Sequence, residues 1–233
     1  MGSLLKAPVR LAREWLGQLP SRRPEVDLAC VVLGTEYGGH AVALEGLNAD
    51  SICFSVGLGE DVSFDLELIE RTGLTIHGYD PTPRSLEWLA RQDLPSEFHV
   101  HPEGIATYDG QASFVPPKNP AHISHTILER TECQGEPITV EVRRLETLAR
   151  EVGVTRIDVL KLDVEGIEYE VIEDVLSTPL EIGQLLVEYH HQFKEIPARR
   201  TMESIALLRS HGFLTYHVAP NGRDLSFVNT RLG

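Results

Sequence analysis

Short apolar runs alternate with longer mixed stretches along most of the chain. The apolar runs predict strands at residues 51–56, 74–79, 98–101, 138–142, 157–162 and 184–189. The stretches between them predict helices at residues 61–71, 83–91, 145–152, 165–177 and 198–210. Short apolar runs bounded by turn signals are typical of buried strands, and strands that alternate with helices indicate a parallel sheet covered by helices on both faces.

The first 50 residues do not share this alternation. Residues 4–18 predict an amphipathic helix that ends before the prolines at 20 and 24, and strands at 28–33 and 41–44 flank the turn Tyr37-Gly38-Gly39. We therefore predict a helix and β-hairpin extension over residues 1–50 and a single main domain over residues 51–233. A chain of this length is typical of one domain.

Three further segments complete the pattern. Strands at 213–218 and 225–228 flank Asn221-Gly222, a pair that favours a type I′ hairpin, so the chain is expected to end with an antiparallel strand. Asp109-Gly110 predicts another hairpin within residues 108–114. Residues 116–136 show little periodicity and predict a long loop over the functional site.

Composition and charge exclude several functional classes. The chain is 42% hydrophobic, so it can bury a core, and its formal net charge is −14. Because nucleic-acid substrates call for a basic patch, we expect no nucleic-acid partner. No apolar run is long enough to span a membrane, and we predict no membrane association. An odd number of cysteines without a C-x-x-C pair argues against a disulfide framework or a zinc ribbon and favours a reducing, cytoplasmic location.

The residues that follow each predicted strand are the candidates for ligand binding, because open α/β sheets bind ligands at the carboxyl ends of their strands. The first strand ends in the turn Gly57-Leu58-Gly59-Glu60-Asp61. Glycines let the backbone approach a ligand closely, but Val62 stands where a dinucleotide site would have its third glycine. The acidic residues would repel a pyrophosphate and suit a cationic or zwitterionic ligand such as S-adenosylmethionine.

Asp80 ends the next predicted strand, where it could accept hydrogen bonds from both ribose hydroxyls of such a cofactor. Because prolines follow it, Asp80 could also cap a helix, and both roles can hold. Pro81, Gly104, Ile105 and Asp163, which also lie at or just after strand ends, complete the predicted cofactor site.

Three strings of residues resemble the FkbM family of methyltransferases. They are SVGLGEDVSFD at 55–65, GYDPTP at 78–83 and LKLDVEGIEYEVI at 160–172. The family signature is a glycine-rich first loop and a K-x-D-V-E-G-x-E junction between a strand and a helix. This chain matches the junction, and it departs from the commoner G-A-N-x-G loop at Leu58 and Glu60.

The resemblance runs from about residue 36 to residue 219. It implies a Rossmann-like class I methyltransferase fold, whose mostly parallel, seven-stranded sheet carries a terminal antiparallel hairpin. It further implies S-adenosylmethionine as cofactor and methyl transfer to a hydroxyl oxygen of a sugar, a polyketide or another small molecule.

The acceptor side of the site is predicted at the ends of the last two parallel strands. Asp163, Glu188 and His190 are the candidate catalytic residues, because an alcohol needs a base or a metal to become a good nucleophile. The same three side chains could hold Mg²⁺ or a transition metal. A histidine that is merely hydrogen-bonded at a strand end is the alternative for His190.

Four residues are the candidates for binding the acceptor: His122, Ser124, Glu165 and His191. Glu165 fits helix capping equally well. Glu168 is expected on a solvated acidic face of the helix that follows.

We therefore predict an S-adenosylmethionine-dependent O-methyltransferase that acts on a small-molecule hydroxyl, and a homo-oligomer is compatible with the sequence. Two alternatives are a nicotinamide-dependent oxidoreductase and a non-catalytic domain that kept the pocket. A nucleic-acid amino methyltransferase is disfavoured, because Asp-Val-Glu-Gly follows the strand at 157–162 in place of an Asn/Asp-Pro-Pro-aromatic motif.

Overall fold

The computed structural model describes residues 21, 23–114, 137–193 and 195–232. The strands are β1 (Val31–Leu33), β2 (His40–Val42), β3 (Ile52–Val56), β4 (Thr75–Tyr79), β5 (Phe98–His101), β6 (Gly104–Ile105), β7 (Gly110–Phe114), β8 (Ile138–Arg143), β9 (Arg156–Leu162), β10 (Glu181–Glu188), β11 (Phe213–Val218) and β12 (Asp224–Asn229). The helices are α1 (Ser63–Thr72), α2 (Pro83–Leu89), α3 (Leu145–Val152), α4 (Glu168–Leu176) and α5 (Ala198–Ser210).

The main sheet has seven strands in the order β11-β12-β10-β9-β3-β4-β5. Strands β10, β9, β3, β4 and β5 pair in parallel, whereas β12 is antiparallel to both of its neighbours. The predicted Rossmann-like sheet with a terminal antiparallel hairpin is therefore confirmed. Its order reverses between β3 and β9, which places the crevice for a ligand at the carboxyl ends of these two strands.

Alternating strand residues feed two separate cores, one on each face of the sheet. Leu160 and Leu162 of β9 pack with residues of α3, α4 and α5. Val159 of the same strand packs with residues of α1 and α2. The predicted helices on both faces follow from this alternation, since burial of one fully apolar side chain contributes about 1.5–3 kcal/mol.

The predicted N-terminal hairpin forms from β1 and β2, which pair antiparallel. Leu33 and Val42 of this hairpin are buried in the core that contains Phe64 and Leu68 of α1. In addition, the side chain of Gln184 on β10 bonds both backbone groups of Ala43. The hairpin is thus fixed against the sheet and against the helix that follows the glycine turn.

Two predicted turns are wrong. Asp109-Gly110 does not form a hairpin: it links β6 to β7, and both of these strands pair with β8 in a separate small sheet. Asn221-Gly222 does not form a two-residue type I′ turn either. Only Gly222 of that pair has a positive φ (74°), and the backbone N–H of Ala219 bonds the carbonyl of Asp224 to close a wider loop.

Among the described residues, no helix has both the length and the apolar character needed to cross a membrane. The predicted helix at 4–18 and the predicted loop at 116–136 lie outside the described residues.

Candidate active site

The crevice at the ends of β3 and β9 brings the glycine turn against the residue that follows β9. The backbone N–H of Asp163 donates to the carbonyl of Val56 at 3.1 Å, and that of Gly57 donates to the carbonyl of Tyr79 at 2.9 Å. Continued pairing past the strand ends therefore holds Gly57 and Asp163 in contact.

Both glycines of the turn have backbone conformations that favour glycine, but their surroundings differ. Gly57 has a φ of 80°, and a Cβ placed there would lie 1.9 Å from the carbonyl oxygen of Asp163. Gly59 has a φ of 57°, and a Cβ there would meet nothing within 4 Å. The Leu58 side chain between them is buried in the core. The turn thus presents backbone to an open space above Gly59.

Lys161 stabilises the glycine turn through a hydrogen bond. Its Nζ donates to the carbonyl of Gly57 at 3.0 Å, although the residue is only 4% exposed. We assigned Lys161 no role from the sequence beyond its match to the family junction. The available signal is a lysine within an otherwise apolar strand, since a lysine is almost never fully buried without a partner.

The acidic residues of the turn have partners within the protein. Glu60 forms a bidentate ion pair with Arg84 of α2, with nitrogen–oxygen distances of 2.8 and 3.1 Å. Asp61 accepts hydrogen bonds from the hydroxyl of Thr35 and from the backbone N–H of Ser63. The carboxylates therefore brace the turn, and the charge expected to attract a cationic ligand is partly neutralised.

Asp80 lies next to this turn, as predicted. One of its oxygens accepts the N–H of Gly59 at 2.9 Å, and the other accepts the N–H and the hydroxyl of Thr82 at 2.9 and 2.6 Å. A carboxylate has about four acceptor positions, so these bonds leave about one for a ribose hydroxyl. Thr82, not Asp80, is the N-cap residue of α2.

Of the remaining predicted cofactor residues, Pro81 and Gly104 lie together. A Cβ on Gly104 would come within 3.0 Å of the Pro81 ring. The Ile105 side chain is buried in the core against α3, so its side chain does not line the crevice.

Asp163, Glu165 and His190 converge at the ends of β9 and β10. The Nε2 atom of His190 lies 3.7 Å from Oδ1 of Asp163 and 3.5 Å from Oε2 of Glu165. One ligand atom from each residue falls within 4.8 Å of the other two, so these residues could hold a metal ion. We name them the Asp163–Glu165–His190 group. Glu165 takes the place predicted for Glu188.

The electrostatic environment of this group contains an excess of negative charge. Burial of the ring would lower the pKa of His190, but the surrounding carboxylates, Glu168 foremost, outweigh it and raise the pKa to about 9. Burial, with the charge of Glu188 adding to it, raises the pKa of Asp163. The raised pKa of His190 indicates that the surrounding carboxylates favour a positive charge at this position.

Glu168 is fully buried, and the predicted solvated location is wrong for it. Its carboxylate accepts the backbone N–H of His190 at 2.7 Å and that of Gly166 at 2.8 Å, and it lies 3.6 Å from Nδ1 of His190. Glu173 on the same helix is exposed. Glu168 therefore ties the junction after β9 to the end of β10.

Replacing Glu168 with glutamine is expected to destabilise the protein by about 2–3 kcal/mol, because the amide nitrogen would face a backbone N–H that loses its acceptor. Urea unfolding, followed by circular dichroism, measures this loss. Glu173→Gln is the matched control on the exposed face and should change stability by less than about 0.5 kcal/mol. Equal stabilities of the two variants would contradict the bracing role of Glu168.

Two other predicted residues have partners outside this group. Glu188 lies 3.4 Å from Arg223. The His191 ring is 3.2 Å from the hydroxyl of Thr201 on α5. His122 and Ser124 lie outside the described residues.

The turn of the N-terminal hairpin lies beside the crevice. The Tyr37 ring is 79% exposed, and its pKa is raised by partial desolvation and then by the charges of Asp163, Glu165 and Glu188. The hydroxyl of Thr35 accepts the N–H of Tyr37 and donates to Asp61. The hairpin thereby brings an aromatic side chain to the rim of the acidic site.

Comparison with known families identifies the domain type. The family model of the methyltransferase FkbM domain matches residues 33–215. A probable methyltransferase-like protein 24 from Rattus norvegicus is 32% identical over 140 residues, which are 59% of this chain and 32% of that protein. The matched stretch therefore spans about a third of the length of this curated relative.

Solved structures show more distant likenesses. Fibrillarin from Aeropyrum pernix, solved with natively bound S-adenosyl-L-methionine, is 12% identical with a TM-score of 0.44, covering 91% of this chain and 85% of that chain. M. capricolum TrmK, solved with S-adenosyl-homocysteine, is 10% identical with a TM-score of 0.43, covering 80% of this chain and 65% of that chain. Likenesses this distant bear on neither substrate nor mechanism.

Proposed function

The chain belongs to the FkbM family of S-adenosylmethionine-dependent methyltransferases, and from this premise we propose that it transfers a methyl group to a hydroxyl oxygen of a small molecule. The observation that carries the proposal is the contact between the glycine turn and Asp163 at the switch point of the sheet. This contact places an open backbone turn, which is suited to a cofactor, directly beside polar side chains that can accept a proton.

The cofactor half of the proposed site is built from the first three strand ends. The open space above Gly59 can accept the cofactor, and Asp80 retains an acceptor position for its ribose. Pro81 and Gly104 border the same crevice. When bound, S-adenosylmethionine supplies an electrophilic methyl group on a sulfonium.

The acceptor half of the proposed site is the Asp163–Glu165–His190 group. These side chains would hold the acceptor oxygen beside the electrophilic methyl group that the cofactor would supply. Oδ1 of Asp163 is buried and has no hydrogen-bond partner within the described chain, so it can accept the hydroxyl proton. His190 and Glu165 orient the acceptor beside it.

The proposed acceptor is a small molecule. The net charge of −14 argues against a polyanionic substrate such as a nucleic acid. The rim formed by Tyr37 offers an exposed ring for packing against an organic acceptor. The predicted cytoplasmic location stays a prediction, as does a homo-oligomeric state.

Two other readings of the fold compete with this proposal. A nicotinamide-dependent oxidoreductase would need a pyrophosphate cradle, and Glu60, Asp61 and Val62 occupy the place of that cradle. A non-catalytic binding domain would give no reason for the buried, unpartnered oxygen of Asp163.

Calorimetry and methyl-transfer assays test the proposal directly. We expect calorimetry to show that S-adenosylhomocysteine binds at one site per chain and that NAD gives no heat of binding. In assays with labelled S-adenosylmethionine, label should enter hydroxylated sugars or polyketides and should not enter RNA or the amine analogues of active acceptors. Binding of NAD, or transfer to the amine alone, would contradict the proposal.

A further inference from the structure

The three ligand atoms of the Asp163–Glu165–His190 group lie close together. They come from two separate strand ends, and all lie within 4.8 Å of one another. The distances from Nε2 of His190 to the two carboxylates, 3.5 and 3.7 Å, are too long for good hydrogen bonds. They suit donors that share one small central atom instead.

A second observation concerns the partners of these atoms. His190 is 2% exposed, and its Nδ1 lies 3.6 Å from the buried carboxylate of Glu168, whereas its Nε2 lies on the side of Asp163 and Glu165. Oδ1 of Asp163 is buried without a hydrogen-bond partner within the described chain. Buried polar atoms are nearly always satisfied, and an absent ion is one of the recognised explanations for exceptions.

Two cationic side chains of the described residues near the group have their own partners. Lys161 donates to the carbonyl of Gly57 at 3.0 Å, and Arg223 lies 3.4 Å from Glu188. The carboxylate of Glu168, by contrast, stands behind the imidazole, 3.6 Å from Nδ1. A carboxylate behind a ligating histidine fixes the ring and is common around protein-bound metals.

We propose that Asp163, Glu165 and His190 bind a divalent transition cation such as Mn²⁺ or Zn²⁺. One imidazole and two carboxylates suit such ions better than Mg²⁺, which prefers oxygen ligands alone. Three protein ligands leave coordination positions open for a further group.

The role of this cation rests on the proposed function. An acceptor hydroxyl bound at an open position would become more acidic, and its proton would pass to water. The oxygen would then take the methyl group from the sulfonium. In this form of the enzyme Asp163 would serve as a ligand, and the cation would lower the pKa of the hydroxyl so that water could take its proton.

Titration of the full chain with Mn²⁺, after removal of bound metals with EDTA, tests the site without any acceptor. Electron paramagnetic resonance counts the free ion, and Zn²⁺ competition checks the ion class. We expect one Mn²⁺ per chain, displaced by Zn²⁺. Asp163→Asn and Glu165→Gln should each weaken binding by at least about 100-fold, since even the loss of an outer contact costs 10–100-fold.

Glu173→Gln is the matched control, because Glu173 is exposed on α4 and lies outside the group. It should keep Mn²⁺ affinity within about twofold of the unmodified protein. His190→Gln is a second test, read only together with circular dichroism because the residue is buried. No saturable Mn²⁺ binding, or equal losses in Glu173→Gln and Asp163→Asn, would overturn the proposal.

Binding of S-adenosylhomocysteine to the same metal-free protein separates this proposal from the proposed function. If S-adenosylhomocysteine binds and methyl transfer proceeds in EDTA, the catalytic role of the cation is refuted and the methyltransferase function stands. If Mn²⁺ binds as expected but S-adenosylhomocysteine does not, the proposed function fails and the cation site stands.

Discussion

Replacing Gly57 with alanine is expected to abolish S-adenosylhomocysteine binding and to destabilise the fold by more than about 4 kcal/mol. The new Cβ would lie 1.9 Å from the carbonyl oxygen of Asp163, whereas real Cβ atoms essentially never have contacts shorter than 3.0 Å. The positive φ of 80° adds conformational strain. Since both residues continue strand pairing, neither can move without breaking the junction between β3 and β9.

Thermal unfolding and calorimetry measure both effects of Gly57→Ala. For a chain of this size, a loss above about 4 kcal/mol lowers the melting temperature by at least about 8 °C. The matched control is Gly59→Ala, because that glycine also has a positive φ, 57°, but faces open space.

Gly59→Ala should cost only about 1 kcal/mol, the strain of a left-handed alanine, which is about 2–4 °C in melting temperature. Its methyl group would enter the proposed cofactor space, so cofactor affinity should fall while the fold persists. Similar melting temperatures for the two variants would show that the contact between Gly57 and Asp163 is not as close as described.

The fold could be predicted largely from the sequence, because each strand and helix of the main sheet is specified locally. The apolar run of β9 is buried on both faces, and Asp163 marks its end. The wrong turns at Asp109-Gly110 and Asn221-Gly222 show the limit of this approach. A turn preference contributes little compared with the pairing of whole strands, and β7 gains more from β8 than from a local hairpin.

The candidate site could be predicted only where it depends on strand ends. Glu188 was predicted to join His190, but β10 ends at Glu188, and His190 beyond it groups with Asp163 and Glu165 instead. Glu165 reaches the group because its backbone adopts a φ of 52°, the only positive φ outside glycine in the described chain. That conformation depends on the junction after β9, which no local pattern specifies.

The burial of charged side chains was the other feature that the sequence did not predict. Glu168 carries the same charge as its neighbours on α4, so composition alone placed it in solvent. Its burial depends on two backbone N–H groups, from Gly166 and His190, that are distant from each other in sequence. The burial of Lys161 could not be predicted for the same reason, because its partner is the carbonyl of Gly57 at the end of another strand.

Replacing Asp163 with asparagine is expected to slow methyl transfer by about 10²–10⁴-fold, the usual contribution of a positioned proton acceptor. An amide oxygen is too weakly basic to take the proton. The backbone bonds of Asp163 to the end of β3 do not involve its side chain. Affinity for S-adenosylhomocysteine should therefore stay within about threefold.

Asp158→Asn is the matched control, since Asp158 lies on the same strand at the end opposite the crevice, where it bonds Ile52 and Arg156. Its turnover should equal that of the unmodified protein. Equal rates for both variants would contradict a role of Asp163 in the reaction. If Asp163→Asn lowers turnover with added Mn²⁺ but not in EDTA, the side chain of Asp163 acts as a ligand of the cation and not as the proton acceptor. A loss of equal size under both conditions would assign Asp163 to direct proton transfer.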